Sequence, residues 1–214
     1  MTELSIRPCK FKGSPTCSHI TDTSDIHIGH FLTYLFYVLD DADFAEVVAH
    51  ATVRLPRSEL LNSDGMSTGE VVPVTSPDQV VLAGTLKSGV FVNIHVRAGL
   101  PAVGAHGAGR KLYQWIIDGE EGSIEVVNPP TSTDDDPFFN LTEKDVYLNG
   151  KKVDLEETEV DQLGQPGKAW LEFAKGDGEN GGRYTTIQDA VRIQRVLSAA
   201  RKSIDEGKKI DLCQ

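Results

Sequence analysis

Three short turn sequences in the middle of the chain limit its possible folds more than any other feature. They lie at residues 87–89 (Lys-Ser-Gly), 118–122 (Asp-Gly-Glu-Glu-Gly) and 149–150 (Asn-Gly). Runs rich in apolar and β-branched residues flank them, and turns of this composition join neighbouring antiparallel strands. The predicted hairpins cover residues 79–97, 112–127 and 146–155. This pattern argues against a doubly wound parallel sheet, in which strands alternate with helices.

Helical spacing of apolar residues occurs on both sides of this strand-rich region. Residues 25–39 and 185–206 repeat apolar residues every three or four positions, which predicts two amphipathic helices. A short helix is predicted at residues 169–174. The apolar stripe of the first helix is Ile28, Leu32, Leu35, Phe36 and Leu39, and the predicted inner side of the last is Ile187, Ala190, Val191, Ile193, Val196, Leu197 and Ala200.

The order of these elements predicts an α+β fold, an open, mostly antiparallel sheet with helices packed on one face. We expect residues 1–214 to form a single domain. Residues 5–12 and 44–55 are predicted as further strands. Loops are predicted at 62–69, which is rich in Ser, Asn, Asp and Gly, at 99–109, which is rich in Gly and Ala, and at 128–137, which has three consecutive aspartates.

The charge and composition of the chain argue against several classes of function. The formal net charge is −11, so the basic surface that nucleic-acid binding requires is not expected. No apolar run approaches the ~18 residues of a membrane-spanning helix, and the first residues lack the apolar block of a secretory signal. Three scattered cysteines favour a reducing compartment over a disulfide framework, and we expect a cytoplasmic protein.

The first predicted helix carries the best candidates for catalysis. His27, His30 and Tyr34 share one stripe, turned away from the apolar stripe by about a third of a circle at ~100° per residue. Imidazole exchanges protons near neutral pH, and a phenol can donate to a developing oxyanion. The alternative is that these residues are half-exposed polar positions on an amphipathic helix.

Candidate binding residues follow later in the chain. His95 and Arg97 share one face of a predicted strand, and Arg97 could hold a carboxylate or an enolate oxygen. The alternative is a polar ladder on the open face of the sheet. His106 lies in the Gly-rich loop, which suits either a lid or an ordinary flexible loop. His27 and His30 have no third ligand at a predictable spacing, so no metal site is predicted.

Several segments, taken in order, resemble the C-terminal domain of the Gfo/Idh/MocA oxidoreductases, within the fungal branch that includes the galactose-pathway repressor. The resemblance covers residues 20–213. Its segments are 28–32 (Ile-Gly-His-Phe-Leu), 75–79 (Thr-Ser-Pro-Asp-Gln), 82–86 (Leu-Ala-Gly-Thr-Leu), 95–99 (His-Val-Arg-Ala-Gly), 115–124 (Trp to Ile) and 186–197 (Thr to Leu). It implies that the face of the first helix bearing His30 looks into a substrate cleft, and that the open sheet face pairs two subunits as a homodimer.

Two departures from the family pattern change the expected chemistry. The dinucleotide-binding domain of full-length members, with its Gly-rich fingerprint, is not recognised here, and the Gly-rich residues 104–109 have the wrong spacing and context. Thr33 stands where the family has an aspartate three residues after the motif histidine, and Thr33 is a further candidate for substrate contact. We therefore expect no cofactor and no hydride transfer by this chain alone.

Three functions remain open at this stage. The favoured one is a cofactor-independent acid/base enzyme, such as an isomerase, dehydratase or cyclase, acting on a small oxygenated metabolite, in fungal secondary metabolism by the resemblance. The second is a non-catalytic protein-interaction module related to the repressor. The third is the substrate half of a split NAD(P)-dependent dehydrogenase.

Overall fold

The computed structural model describes residues 23–39, 42–62, 66–97, 113–128, 145–155, 160, 163–176 and 181–213. Its helices are α1 (Thr23–Val38), α2 (Gly164–Ala174) and α3 (Ile187–Glu206). Its strands are β1 (Phe44–Thr52), β2 (Arg57–Leu61), β3 (Ser67–Pro73), β4 (Gln79–Leu86), β5 (Phe91–Arg97), β6 (Gln114–Gly119), β7 (Gly122–Val127), β8 (Asp145–Leu148), β9 (Lys151–Val153) and β10 (Ile210–Asp211). The strand predicted at 5–12 and the loop predicted at 99–109 lie outside the described residues.

The chain divides into two compact units, which the sequence pattern did not separate. One unit is Met1–Gly99 with Thr185–Gln214, and the other is Leu100–Tyr184. The first contains a four-stranded sheet in the order β10-β1-β4-β5 and the separate hairpin β2-β3; the second contains a sheet in the order β6-β7-β8-β9. Every strand pair among the described residues is antiparallel, which confirms the predicted α+β class.

The four-stranded sheet of the first unit has one buried face. In β4, Val80, Leu82, Gly84 and Leu86 are buried, whereas the residues between them are only half-buried. Strand β5 alternates in the same way, with Val92 and Val96 buried. Because side chains alternate between the faces of a strand, these residues define an inner face, and the opposite side is the outer sheet face.

Helices α1 and α3 cover the inner face. The predicted stripe of α1 is buried at Ile28, Leu32, Leu35 and Phe36. Helix α3 lies against β1, where the Ser203 hydroxyl accepts a hydrogen bond from the Ala49 amide at 2.9 Å. The same hydroxyl donates to the Lys208 carbonyl at 2.6 Å. Strand β10 pairs only with Glu46 and Val47 of β1, so the nearby Ala49 amide has no strand partner on that side. The fully buried Ser203 hydroxyl supplies its acceptor.

An ionic cluster joins the start of α3 to α1 and to the residue that precedes β1. The Arg192 guanidinium binds Asp43 at 2.8 Å and Asp189 at 3.4 Å, and it lies 4.5 Å from the centre of the Phe36 ring. Thr186 and Asp189 form a capping box at the helix N-terminus. Hydrogen bonds from the Thr186 amide and hydroxyl, and then from Arg192, lower the pKa of Asp189.

The carboxyl group of Asp43 belongs to the same cluster. Burial alone would raise its pKa, but hydrogen bonds and charge from Arg192 and Lys87 outweigh burial and lower it. Both carboxylates are therefore held in the charged form at neutral pH.

The structure corrects the predicted inner side of α3. Val196, Leu197 and Ala200 are buried as expected, but Ile187, Ala190 and Val191 are exposed. At ~100° per residue, Ile187 and Val191 lie nearly opposite the middle of the buried stripe. The apolar pattern of the first two turns was too broad to define one face.

The structure also replaces part of the loop predicted at 62–69 with the hairpin β2-β3. The Gly, Asn and Asp residues at its tip concealed the two short strands. The buried carboxylate of Asp78 holds the base of this hairpin, since it accepts hydrogen bonds from the amides of Arg54 and Leu55 at 2.9 and 2.7 Å. Helix α2 likewise begins at Gly164, earlier than predicted.

The predicted Asn-Gly turn is confirmed in the second unit. Asn149 and Gly150 connect β8 to β9 with φ values of 50° and 76°, the left-handed conformation that a type I′ turn requires. The Asn149 side chain accepts a hydrogen bond from the Ser123 amide at 2.8 Å, which ties this turn to β7.

Of the helices described, none combines the length and the apolarity needed to cross a bilayer.

Candidate functional site

The side of α1 that faces away from the core is unusual for a helix surface. Residues 26–38 include no Asp, Glu, Lys or Arg. Opposite the buried stripe, Ile26, Tyr37 and Val38 are 44, 49 and 49% exposed. Solvent-facing helix surfaces usually carry charged residues, whereas contact surfaces lose charge and gain tyrosine. We name this surface the α1 outer face; its members are Ile26, His27, His30, Thr33, Tyr34, Tyr37 and Val38.

The three predicted catalytic residues lie together on the α1 outer face. His30 is exposed, and His27 and Tyr34 are half-buried one turn away on either side. Residues at spacings of three and four are neighbours along a helix. A small molecule on this surface could therefore contact two imidazoles and one phenol at once. Catalytic roles for these residues remain predictions.

Thr33 makes a local hydrogen bond that limits what it can offer a ligand. Its hydroxyl donates to the Gly29 carbonyl at 3.0 Å, one turn earlier. The hydroxyl proton is thus used inside the helix, but the oxygen can still accept a hydrogen bond. The substrate contact predicted for Thr33 is accordingly restricted to that of an acceptor.

Gly29, beside His30, is not required by helix packing. A Cβ atom added there would lie 3.9 Å from both Ile193 and Leu197 of α3, which is an ordinary contact distance. In α1, this glycine has helical geometry and needs no left-handed conformation.

The structure does not bring His95 and Arg97 to the same place as His30. Both side chains are exposed on β5 and alternate with the buried Val92 and Val96, so they point to the outer sheet face. Helices α1 and α3 cover the opposite face. Arg97 and His30 therefore lie on opposite sides of the sheet, so within one chain the two side chains do not form one site. Ligand binding by His95 and Arg97 on their own face remains a prediction.

Two further expectations concern loop and metal sites. His106 lies outside the described residues. Among the residues that the structure does describe, no three His, Cys, Asp or Glu side chains are grouped closely enough to hold a metal ion.

Sequence reasoning missed two features of these surfaces. The charge-free run 26–38 was visible in the sequence and would have marked the whole α1 outer face, including Ile26 and Tyr37. The second feature is His50, which lies in one cross-strand row with Val81 and His95. That row depends on the strand register, which the sequence alone did not reveal.

In the part of the chain that the structure describes, α3 does not offer the phosphate site of a dinucleotide-binding fold. Dinucleotide phosphates bind at a Gly-rich turn from a strand into a helix N-terminus. In this part of the chain the strands are antiparallel, and the N-terminus of α3 is occupied by the carboxylate of Asp189 and the hydroxyl of Thr186.

An open antiparallel sheet with helices on one face is the fold that the sequence resemblance to the C-terminal domain of the Gfo/Idh/MocA oxidoreductases implied. Residues 21–128, half of the chain, match the family described as Gal80p, C-terminal domain, and the chain belongs to that family. The resemblance drawn from the sequence motifs is thereby confirmed.

Relatives of known name extend this similarity. The chain is 27% identical over 184 residues to dehydrogenase aclE of Aspergillus oryzae, covering 84% of this chain and 45% of that protein. The super-repressor mutant of Gal80p from Saccharomyces cerevisiae has a similar fold, with a TM-score of 0.66 and 21% identity, over 91% of this chain and 51% of that one. Levoglucosan dehydrogenase in complex with NADH and L-sorbose also has a similar fold, with a TM-score of 0.55 and 17% identity. The match covers 87% of this chain and 50% of that one.

The match to the family model shows the family, and the solved structures show the fold. The chain spans about half the length of the relatives it matches. Identity to the solved structures is low, so their activities and partners do not transfer with the fold.

Proposed function

We propose that this chain catalyses proton transfer on a small oxygenated metabolite bound at the α1 outer face. Isomerisation, dehydration and cyclisation are the reaction types that this chemistry serves. The observation that carries the proposal is an exposed histidine, His30, in the middle of a helix surface without charged residues.

The proposed roles follow from the order of side chains along α1. His30 removes a proton from the carbon beside a carbonyl group, and the electron pair moves to the carbonyl oxygen. Tyr34 or His27 donates a hydrogen bond to the resulting enolate oxygen. The imidazolium of His30 then returns the proton to another atom of the substrate. Protons and electrons balance without a cofactor.

Apolar side chains at both ends of the face support binding of a carbon skeleton. Ile26 lies before the histidines, and Tyr37 and Val38 lie after them. Small-molecule sites are lined mainly by apolar and aromatic groups, with a few polar groups that fix orientation.

Deuterium incorporation from solvent tests this proposal without knowledge of the natural product. Dihydroxyacetone and 2-hydroxyacetophenone serve as probes in D2O, and exchange at the carbon beside the carbonyl is followed by mass spectrometry. We expect His30→Gln to slow the protein-dependent exchange by about 10²-fold or more. His50→Gln, on the outer sheet face, is the matched control and keeps the wild-type rate. Equal rates in wild type and His30→Gln would reject the role of His30.

A protein-interaction module is the second candidate function. It is favoured by the exposed Ile26, Tyr37 and Val38, since apolar and aromatic side chains without charge are typical of interface cores. One relative in this fold is described as the transcriptional regulator Gal80p from Kluyveromyces lactis. Recovery of one stoichiometric protein partner by wild type but not by Tyr37→Glu would favour this candidate.

The substrate half of a split dehydrogenase is the third candidate. It is favoured by the relatives named as dehydrogenases, of whose length this chain covers about half. In that case the α1 outer face meets a dinucleotide-binding polypeptide. NADPH oxidation that requires both polypeptides would support this candidate, and exchange by the purified chain alone would favour the first.

We also propose that two copies pair through the outer sheet face, and that the protein acts in the cytoplasm. Phe91 and Val48 on that face are 70 and 46% exposed. Exposed apolar side chains that share one face of a sheet favour association.

A further inference from the structure

Thr33 lies on one side of His30 on the α1 outer face, and His27 and Tyr34 lie on the other. At ~100° per residue, Thr33 is turned ~60° from His30 in one direction, whereas Tyr34 and His27 are turned ~40° and ~60° in the opposite direction. His30 is exposed, and the three flanking residues are half-buried. A carbon atom held at the imidazole therefore has the threonine on one side and the two other polar side chains on the other.

A hydrogen bond within the helix defines what the Thr33 side of this surface can bind. The Thr33 hydroxyl donates to the Gly29 carbonyl at 3.0 Å, so toward a ligand its oxygen serves only as an acceptor. The ligand group that contacts this oxygen must donate a hydrogen bond, as a hydroxyl group does. On the opposite side, the proposed function gives Tyr34 or His27 the role of donor, and a carbonyl oxygen is the matching acceptor.

The sequence of α1 provides no ammonium or guanidinium group to anchor an anionic ligand. Residues 26–38 include no lysine or arginine. The Arg192 guanidinium, which lies over the Phe36 ring of α1, is bound by Asp43 and Asp189. The net charge of −11 on the whole chain further disfavours the approach of an anion. Because a charged group would lose water here without gaining an opposite charge, this surface favours an uncharged ligand.

From this arrangement we infer that the substrate is an uncharged α-hydroxyketone, and that Thr33 selects it by accepting a hydrogen bond from its hydroxyl group. The inference rests on the proton transfer proposed above. The carbonyl oxygen lies on the side of His27 and Tyr34, and the hydroxyl group lies on the side of Thr33. His30 removes a proton from the carbon that bears the hydroxyl group, and the electron pair moves to the carbonyl oxygen. In D2O, a deuteron from solvent replaces the proton when the enolate is converted back to the ketone.

Three matched ketones test the inference by deuterium incorporation at about pH 8, each rate being divided by the rate in buffer alone. They are 2-hydroxyacetophenone, acetophenone, which lacks the hydroxyl group, and the para-carboxylate derivative of 2-hydroxyacetophenone. We expect the wild-type acceleration to be about tenfold larger for the first than for either of the others. Thr33→Val, folded by circular dichroism, should reduce the preference over acetophenone to less than about twofold, whereas Thr33→Ser, which keeps the oxygen, should retain it.

The outcomes separate the inference from the proposed function. Equal exchange in wild type and His30→Gln with every ketone would reject proton transfer by His30 and the inference with it. Exchange that depends on His30 but is accelerated equally for acetophenone and 2-hydroxyacetophenone would reject only the α-hydroxyketone. Equal acceleration of the carboxylate derivative would reject the preference for an uncharged substrate, and a hydroxyl preference that survives in Thr33→Val would reject the role of Thr33.

Discussion

Helices α1 and α3 pack on the same face of one sheet but present opposite kinds of surface to the outside. Both bury a stripe of aliphatic side chains. Seven of the 20 residues of α3 are charged, namely Asp189, Arg192, Arg195, Arg201, Lys202, Asp205 and Glu206. By contrast, residues 26–38 of α1 include no charged residue. Because both helices pack on the same sheet face, the difference supports the proposal that the α1 outer face contacts a ligand or a partner, whereas the charged surface of α3 faces water.

The buried stripes of α1 and α3 should contribute similarly to stability. Leu32→Ala in α1 and Leu197→Ala in α3 should each lower the free energy of unfolding by about 2–5 kcal/mol, because each leaves a cavity in the same core. Urea denaturation at pH 7 measures both. If the α1 variant lost less than about 1 kcal/mol, α1 would be weakly packed, and its outer face would need another explanation.

Removing the hydrogen bond between α3 and β1 should have the next largest effect on the free energy of unfolding. Ser203→Ala leaves the buried Ala49 amide without its acceptor, which should cost about 1–3 kcal/mol. Ser198→Ala, on the exposed side of the same helix, is the matched control and should change stability by less than about 0.5 kcal/mol. Equal losses in the two variants, measured by urea denaturation, would contradict a special role for Ser203.

The charged start of α3 predicts a pH dependence. Asp189→Asn should cost about 1 kcal/mol at pH 7, because it removes the charge from the capping box. The pKa of Asp189 is lowered in the folded state, so its contribution is present above the unfolded value of about 3.9 and is lost as the pH falls through the folded value. Denaturation from pH 7 down to pH 2 should therefore show the variant and wild type converging below about pH 4. A constant gap would show that Asp189 stabilises α3 without its charge.

In α1, the glycine beside His30 predicts a gain in stability. Gly29→Ala should raise the free energy of unfolding by about 0.5–1 kcal/mol, because alanine restricts the unfolded chain and the added Cβ has room. Gly84→Ala is the contrasting control: its Cβ would lie 2.3 Å from the Glu46 carbonyl oxygen, and the variant should be strongly destabilised. A loss of stability in Gly29→Ala would mean that α1 lies closer to α3 than described.

The smallest effect on stability is expected on the outward surfaces themselves. Tyr37→Glu on α1 and Val191→Glu on α3 replace exposed side chains, and each should change the free energy of unfolding by less than about 0.5 kcal/mol. Thermal denaturation checks both. A large loss in Tyr37→Glu alone would mean that Tyr37 is structural and would weaken the functional interpretation of its face.

Local patterns could be predicted from the sequence, whereas relations between distant elements could not. The stripe of α1 and the Asn-Gly turn follow from spacing and from backbone conformation, and both are confirmed. The sequence showed that His95 and Arg97 alternate with apolar residues. It could not show that α1 covers the other face of β5, because that depends on tertiary packing, so the separation of Arg97 from His30 could not be predicted.

The hairpin β2-β3 and the row of His50 with His95 were missed for related reasons. The hairpin contributes no long apolar run, and its base is held by Asp78, which lies more than 20 residues from the amides it binds. The histidine row depends on the register of three strands, and no single strand reveals it.

Introducing the same charge on each helix surface tests the central claim most directly. Deuterium incorporation into the two hydroxyketone probes should be measured for wild type, Tyr37→Glu and Val191→Glu. We predict at least a tenfold slower rate for Tyr37→Glu and a wild-type rate for Val191→Glu. Equal rates in the two variants would contradict the claim that the α1 outer face, and not the helix pair in general, carries the function.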